Sequence, residues 1–325
     1  MLTTQVFTCS FPKDNADALN QESGRIYTAT MVEHYRVFRH TGNWLSPKAD
    51  EKLSDFITGE TILHAHSRDA AQQGFAKACK TARACQKLGL NSHYPHHIKH
   101  WRTTVWKNTG IRKRDDRLLL SLARGYEPIQ VRLPEHLHGL EPAAFLEMRL
   151  VWDQVGRHYQ WHAVIEDGIA PFDAPGTNVA GVDLGEVHPA AASDGTESVI
   201  ISARQLRSLS QYNNKRLAEL QHKQSKKVKG SKRWKRIQRR KNRFLAQQKL
   251  RKRDIEHKVS RAVVDWAVEQ HVGKLAVGDV RDAADGVALG KQANQKIANW
   301  THGKLRTYIE YKAAAKGITY LGFSP

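Results

Sequence analysis

The stretch VAGVDLGEVHPAAASDG, residues 179–195, sets a lone carboxylate, Asp183, inside an apolar, strand-like run bounded by glycines. A strand alternates its side chains between two faces, so Val182 and Leu184 share one face while Gly181, Asp183 and Gly185 share the other. The second face is stripped of Cβ atoms beside the carboxylate, which suits close approach of a metal or a phosphate backbone. A surface turn with Asp183 capping whatever follows fits the same string. The surrounding chain decides between them.

Downstream of this stretch the pattern is α/β. HPAAAS and SVIIS read as an antiparallel meander around the turn SDGTE, and a long helical region fills about 203–271. A strand KLAVGDV (274–280), a loop with Gly286 and Gly290, a helix over about 303–316 and a last strand GITYLGF (317–323) complete it. Three adjacent strands followed by helix–strand alternation match the RNase H architecture, in which metal-binding carboxylates sit on central strands.

Upstream the organisation differs. MLTTQVFTCSFP reads as a first strand, and residues about 13–90 read as helical, with Ala71, Phe75, Cys79 and Ala82 near helical spacing and Gly89 at a C-terminal position. In FLEMRLVW (145–152) and HYQWHAVI (158–165) apolar residues alternate with polar ones: Leu146, Met148, Leu150, Trp152, then Tyr159, Trp161, Ala163, Ile165. DQVGR supplies the turn, so this is a hairpin with one buried face in a β-barrel-like unit. DAPGTN (173–178) breaks the chain and marks a domain boundary. Between these parts, residues 94–125 mix aromatics with bases. Trp101, Trp106 and Tyr94 among lysines and arginines are what a stacking surface for single-stranded nucleic acid uses, and equally what a small β unit buries.

Charge narrows the function. The chain of 325 residues carries 52 Lys and Arg against 32 Asp and Glu, a net charge of +20 that calls for an anionic partner. Nucleic acid is the first candidate, because each neutralised phosphate releases condensed counterions. An anionic membrane would pair the bases with a continuous apolar helical face, and the basic block has only a sparse one. No apolar run is long enough to span a bilayer and no charged-then-apolar leader opens the chain, so a cytoplasmic protein with no membrane partner is expected. The three cysteines, Cys9, Cys79 and Cys85, form neither a C-x-x-C pair nor an even set, which argues against disulfides and a zinc site. The histidines of YPHHIKHW (94–101) fit no standard metal-ligand spacing.

The block KKVKGSKRWKRIQRRKNRFLAQQKLRKR (226–253) is about half Lys and Arg and holds no acid. Gly230 marks a turn between two helices, and Trp234, Ile237 and Leu245 make a thin docking stripe on the second. Like charges this dense repel along one helix unless a polyanion screens them. The nucleic-acid-binding residues assigned here are Lys226, Lys227, Lys229, Lys232, Arg233, Lys235, Arg236, Arg239, Arg240, Lys241, Arg243 and Arg251. To them are added Trp101, Arg102, Trp106, Lys107, Arg112 and Lys113 from the aromatic–basic stretch.

Taken in order, these pieces resemble TnpB (also called OrfB), the transposon-encoded RNA-guided nucleases related to type V CRISPR effectors. The matching strings are YPHHIKHWRTTVWKNTGIRKRDDRLLLSLARGYEPIQVRLP, GVDLGEVHPAAASDG, the Lys/Arg helix, LAVGDVRDAADGVALG and NQKIANWTHGKLRTYIEYKAAAKGI. The resemblance implies an α+β multidomain chain: an OB-like β wedge (1–12 and 94–176), a helical recognition region inserted in it (13–93), and a RuvC-like domain of RNase H fold (177–325). It implies a guide RNA derived from a transposon end and a double-stranded DNA target beside a short adjacent motif, in a prokaryotic, nucleoid-associated setting. Asp183 matches the first RuvC carboxylate, a ligand of Mg2+ in two-metal phosphodiester hydrolysis.

The chain departs from that pattern at the second carboxylate. Relatives carry a Glu in a strand ending E-D-L; here VGDV puts Gly278 there, and Asp279, one residue on, faces the other side of the strand. Some relatives carry instead a Glu after the following strand, then a Cys-rich zinc ribbon and a final Asp, and the text GFSP up to Pro325 offers no counterpart. The resulting expectation is an RNA-guided DNA-binding protein with an incomplete nuclease centre, similar to nuclease-dead TnpB-like repressors or to a decayed transposon copy, with at most a partial Mg2+ site at Asp183 and no zinc. The alternatives are an active Mg2+-dependent endonuclease that recruits Asp279, Asp282 or Asp285, and a general basic RNA-binding protein.

Overall fold

The computed structural model describes residues 2–166, 168, 172–280, 290, 294 and 302–323. They form an α+β protein in two compact units, Met1–Ile169 and Ala170–Pro325.

The first unit opens with strand β1 (Leu2–Thr8) and three helices, α1 (Lys13–Thr41), α2 (Pro47–Thr58) and α3 (Ala65–Lys87). Local chemistry sets their ends. Helix α1 stops at Gly42, whose backbone is left-handed (φ 72°) and whose N–H closes on Phe38 O. Ser46 caps α2 through the Ala49 N–H, with Pro47 in the first turn where its missing donor costs nothing. Strands β2 (Thr104–Lys107), β3 (Ile111–Arg114), β4 (Arg117–Leu120), β5 (Ile129–Arg132), β6 (Phe145–Asp153) and β7 (His158–Glu166) follow. They pair as two antiparallel sheets, β1-β7-β6-β2 and β3-β4-β5. The main core joins helices and sheets through Leu19, Ile26, Leu63, Trp106, Leu118, Phe145, Leu150 and Trp161, and a smaller cluster of Tyr27, Met31, Phe75 and Cys79 lies between α1 and α3.

The β6–β7 hairpin is present, and Asp153 caps its turn through the Val155 and Gly156 N–H groups. Its alternation slips at one end. The pairing shifts between Phe145 and Glu147, so Phe145 is fully buried and Leu146 is only half-buried, against the expected inward Leu146. A bulge inserts one unpaired residue and thereby reverses the face of what precedes it.

The second unit contains strands β8 (Asn178–Asp183), β9 (Ala190–Ser193) and β10 (Ser198–Ile201), helices α4 (Arg204–Ser225) and α5 (Lys232–Glu269), strand β11 (Val272–Gly278), helix α6 (His302–Ala315) and strand β12 (Thr319–Phe323). The sheet order is β10-β9-β8-β11-β12. Strand β9 runs antiparallel to both β8 and β10, and β11 runs parallel to both β8 and β12. Ala180, Val182 and Leu184 of the β8 stretch and Leu275 and Val277 of β11 pack with Val259, Val263, Leu305 and Ile309 of α5 and α6. The even-numbered side chains of β8 therefore face helices. The odd-numbered ones face away, which settles the direction of Asp183.

Candidate nucleic-acid interface and carboxylate site

Asp183 ends β8 on the face opposite the helices and is exposed, as is Gly181 two residues before it. A Cβ added at Gly181 would meet nothing within 4 Å. Gly185 has a different reason to be glycine: a Cβ there would lie 2.7 Å from His188 O. Asp183 pairs with Ala191 on β9. On the other side Val182 pairs with Val277 in parallel register, so the next position beside Asp183 is Gly278. A Cβ on Gly278 would find only Val182 O, at 3.9 Å, so the place beside the carboxylate is open.

Asp279 lies elsewhere. Its N–H donates to Phe323 O at 2.7 Å, continuing the β11–β12 pairing. Its carboxylate lies 2.5 Å from Arg306 Nη1 of α6, with a side chain only 9% exposed. Arg306 Nε in turn donates to Tyr320 OH at 2.6 Å. The bonds to Asp279 and Tyr320 push the guanidinium pKa still higher, so this cation is permanent. Burial lowers the pKa of His302, at the start of α6, against the opposing charge of Asp279. Asp279 is therefore an anchor of α6 rather than a substitute ligand beside Asp183. Strand alternation sends it to the helix-covered face and Arg306 occupies it there. Asp282 and Asp285 lie outside the described residues, as does Gly286. Glu186, close to Asp183 in sequence, is paired with Arg207 of α4 at 3.1 Å.

A two-metal site of divalent ions needs several oxygen ligands converging on one place. Among the described residues the place beside Asp183 offers one carboxylate and a glycine, and Asp279 and Glu186 are held by Arg306 and Arg207. These residues do not fit a tightly held pair of Mg2+ ions.

The basic block forms a helical hairpin. Helix α4 ends, Gly230 turns the chain with φ +84°, and Ser231 caps α5 through the Trp234 N–H. The inner stripe of α5 runs through Trp234, Ile237, Gln238, Lys241, Phe244 and Gln248, all half-buried or buried. It is held by polar as well as apolar contacts: Gln224 Nε2 donates to Gln238 Oε1 at 2.7 Å, and the Tyr212 and Phe244 rings lie 6.0 Å apart. Leu245, assigned to this stripe from sequence, is 40% exposed, and Phe244 takes its place. Fifteen of the 28 residues from 226 to 253 are Lys or Arg. All but Lys241 and Lys252 are exposed, and among the described residues none of the fifteen forms an ion pair. A single helix about 57 Å long thus carries an uncompensated row of cations.

The aromatic–basic stretch divides. Trp106 is a core residue with no exposed surface, its ring 5.9 Å from Trp161 and its Nε1 donating to Ser121 O at 2.9 Å. It cannot stack on a base, and its assignment to nucleic-acid contact is corrected. The alternation of β2 turns Trp106 inward, and the sequence read equally well either way. Trp101 precedes the strand and is 44% exposed. Arg102 is half-buried, its guanidinium 5.1 Å from the Tyr27 ring, and burial lowers its pKa. Lys107 donates to Gln73 Oε1 at 3.0 Å and Lys113 to His138 O at 2.6 Å, while Arg112 is exposed. Sequence reasoning missed Arg306, whose role appears only once α6 is docked against the end of β11. No helix among the described residues is long and apolar enough to cross a membrane.

Fold and site together define an α+β protein with a mixed five-stranded sheet, an exposed strand-end carboxylate and a polycationic helical hairpin. Residues 162–284 match the family OrfB_IS605, described as a probable transposase. No curated protein matches the chain. Among solved structures, the chain aligns with that of a Cas12f1–sgRNA–target DNA complex at a TM-score of 0.65 and 13% identity, covering 97% of this chain and 74% of the other. A CRISPR-Cas12f ternary complex aligns at 0.36 and 12% identity over 96% and 71%. An AacC2c1–sgRNA–extended non-target DNA ternary complex aligns at 0.41 and 9% over 95% and 55%. The fold likeness rests on the first of these.

Proposed function

We propose that the chain is an RNA-guided DNA-binding protein of the TnpB type whose two-metal cleavage centre is incomplete, so that it grips a target without cutting it. In this reading the first unit is the wedge with its inserted recognition helices, and the second is the RuvC-like domain. A guide RNA and a matching DNA duplex are the partners.

The observation that carries the reading is the contrast within the second unit. Its helical hairpin keeps an unpaired row of cations suited to phosphates, while the position in register with Asp183 is Gly278. Affinity in such a system comes from backbone neutralisation and from guide–target pairing, neither of which needs a metal-binding carboxylate. Rate does need it, because losing catalytic ligands costs orders of magnitude.

The test is to purify the protein from cells, sequence the RNA that stays bound, and offer duplex DNA matching it in Mg2+ buffer. Capture of matching duplex without strand breaks is expected. Guide-directed breaks that vanish in Asp183→Ala would overturn the proposal. Equal retention of unrelated RNAs would replace it with general RNA binding.

A further inference from the structure

A second site lies in the first unit. Between the start of α1, the segment leading into β2 and the β6–β7 hairpin is a cleft of about 500 Å3, lined among others by Lys13, Asp17, Trp101, Trp152, Gln154 and Tyr159. Its volume falls within the roughly 300–1,000 Å3 of small-molecule sites. Two indole rings border it. Trp101 is 44% exposed, and Trp152 is half-buried with its ring 5.0 Å from that of Tyr159 in an edge-on contact.

The floor is polar and fixed. Tyr159 OH donates to Asp17 Oδ1 at 2.7 Å, and Lys13 Nζ pairs with Asp17 Oδ2. Burial raises the carboxyl pKa of Asp17, but the bonds from Lys13 and Tyr159 outweigh it and hold the group below its usual range. The carboxylate is therefore an acceptor only. Of roughly four lone-pair sites on a carboxylate, two are filled here, one on each oxygen. Two remain, one on each oxygen. The Lys13 ammonium also lies 5.7 Å from the centre of the Trp152 ring, the place a stacked base or its phosphate would claim.

We propose that this cleft takes one unstacked guanine base of a single-stranded nucleic acid, stacked on Trp101 or Trp152 and read by the Asp17 carboxylate. The inference rests on the reading that the protein holds RNA, and adds to it a base-specific contact. Aromatic side chains receive any base. Asp17 selects among them. Guanine presents two adjacent donors, N1–H and the N2 amino group, to a bidentate acceptor. Adenine and cytosine each place a ring acceptor beside their amino group, and uracil flanks its one donor with two acceptors, so all three set lone pairs against the carboxylate. Lys13 is exposed and stays paired with Asp17, which leaves its ammonium beside the place where the phosphate of a stacked nucleotide would lie.

The test uses the full chain and octauridylate probes bearing one central guanine, inosine, adenine or abasic site, with binding read by fluorescence anisotropy. The guanine probe is expected to bind about ten-fold tighter than the inosine probe, which lacks the N2 amino group, and tighter than the adenine probe by at least as much. In Asp17→Asn the amide keeps an acceptor for Tyr159 but offers one donor and one acceptor to the base, so preference passes from guanine to adenine. Trp101→Ala, at an exposed position where folding is safe, brings every base-containing probe toward the abasic one. Equal affinity of guanine, inosine and adenine probes for the native chain overturns the proposal, as does a guanine preference that survives Asp17→Asn. If no RNA is retained at all, the reading of the whole protein fails, and the cleft is then judged by GMP against IMP. Quenching of tryptophan fluorescence by GMP but not IMP keeps it, and identical responses end it.

Discussion

Neutralising the outer face of α5 separates binding from folding. Lys232, Arg236, Arg239 and Arg243 are exposed and lie opposite the inner stripe, within about 16 Å of helix. Substituting all four by Gln keeps helix propensity nearly constant. It also removes eight like-charged pairs at i,i+3 or i,i+4, each worth about 0.2–0.5 kcal/mol of repulsion, so thermal stability should hold or rise. If each cation meets one phosphate, the slope of log affinity against log salt should fall by about 2.8 for a single strand and about 3.6 for a duplex. Between 50 and 200 mM salt the native chain should then lose roughly 50- to 150-fold more affinity than the variant. The assay is anisotropy titration of the co-purified RNA over a salt series, with a melting curve as the folding control. A slope that falls by less than one, in a variant that melts normally, refutes the assignment of this face to phosphates.

Three further outcomes follow from particular contacts. Trp106→Ala should destabilise the first unit by roughly 3–5 kcal/mol in denaturant titration, since a fully buried indole and its bond to Ser121 are lost, whereas Trp101→Ala should leave the midpoint unchanged. Gly278→Asp should fold normally because the space beside Asp183 is open, and isothermal titration should show Mn2+ binding that the native chain lacks or holds more weakly; unchanged affinity would show that the face is not metal-competent. Lys312 is half-buried in α6, donating to His257 O and Ser260 Oγ at 2.7 Å each, and burial with Arg261 nearby lowers its pKa to about 8. The unfolded chain keeps that proton to about 10.5. Between the two values the unfolded state binds more protons, so the Lys312 contribution to stability rises with pH there, and melting temperatures of native and Lys312→Met chains should diverge in that window, with the native chain gaining.

Much of the fold was legible because local signals and burial agreed. Gly230 between two basic runs, the DQVGR turn between alternating strands, and the glycine-flanked Asp183 each determine their surroundings within a few residues. The misreadings share one cause, a contact made at long range. Phe145 displaces Leu146 because a bulge forms against β7. Phe244 displaces Leu245 because Tyr212 of α4 lies against it. Trp106 is inward because a tertiary core receives it. The cleft at Asp17 was invisible for the same reason: its hydrogen bond to Tyr159 spans 142 residues. The parity of Asp279 was legible, but the arginine that holds it was not.

That parity bears on what the second unit can become. Leu275, Val277 and Asp279 share the side of β11 that the helices cover, so changing any of them disturbs the core or the Arg306 anchor of α6. Gly278 shares the other side with Asp183, where a Cβ meets only one atom near contact distance. The position beside Asp183 is thus decoupled from the fold: a carboxylate there can be absent or present at little structural cost. The reverse holds for Asp279, which would have to give up a close ion pair and leave its face of the sheet to reach a metal beside Asp183. Under the proposed function, loss of cleavage with retention of the fold and of the cationic hairpin is therefore the cheap path, and recruitment of Asp279 the expensive one.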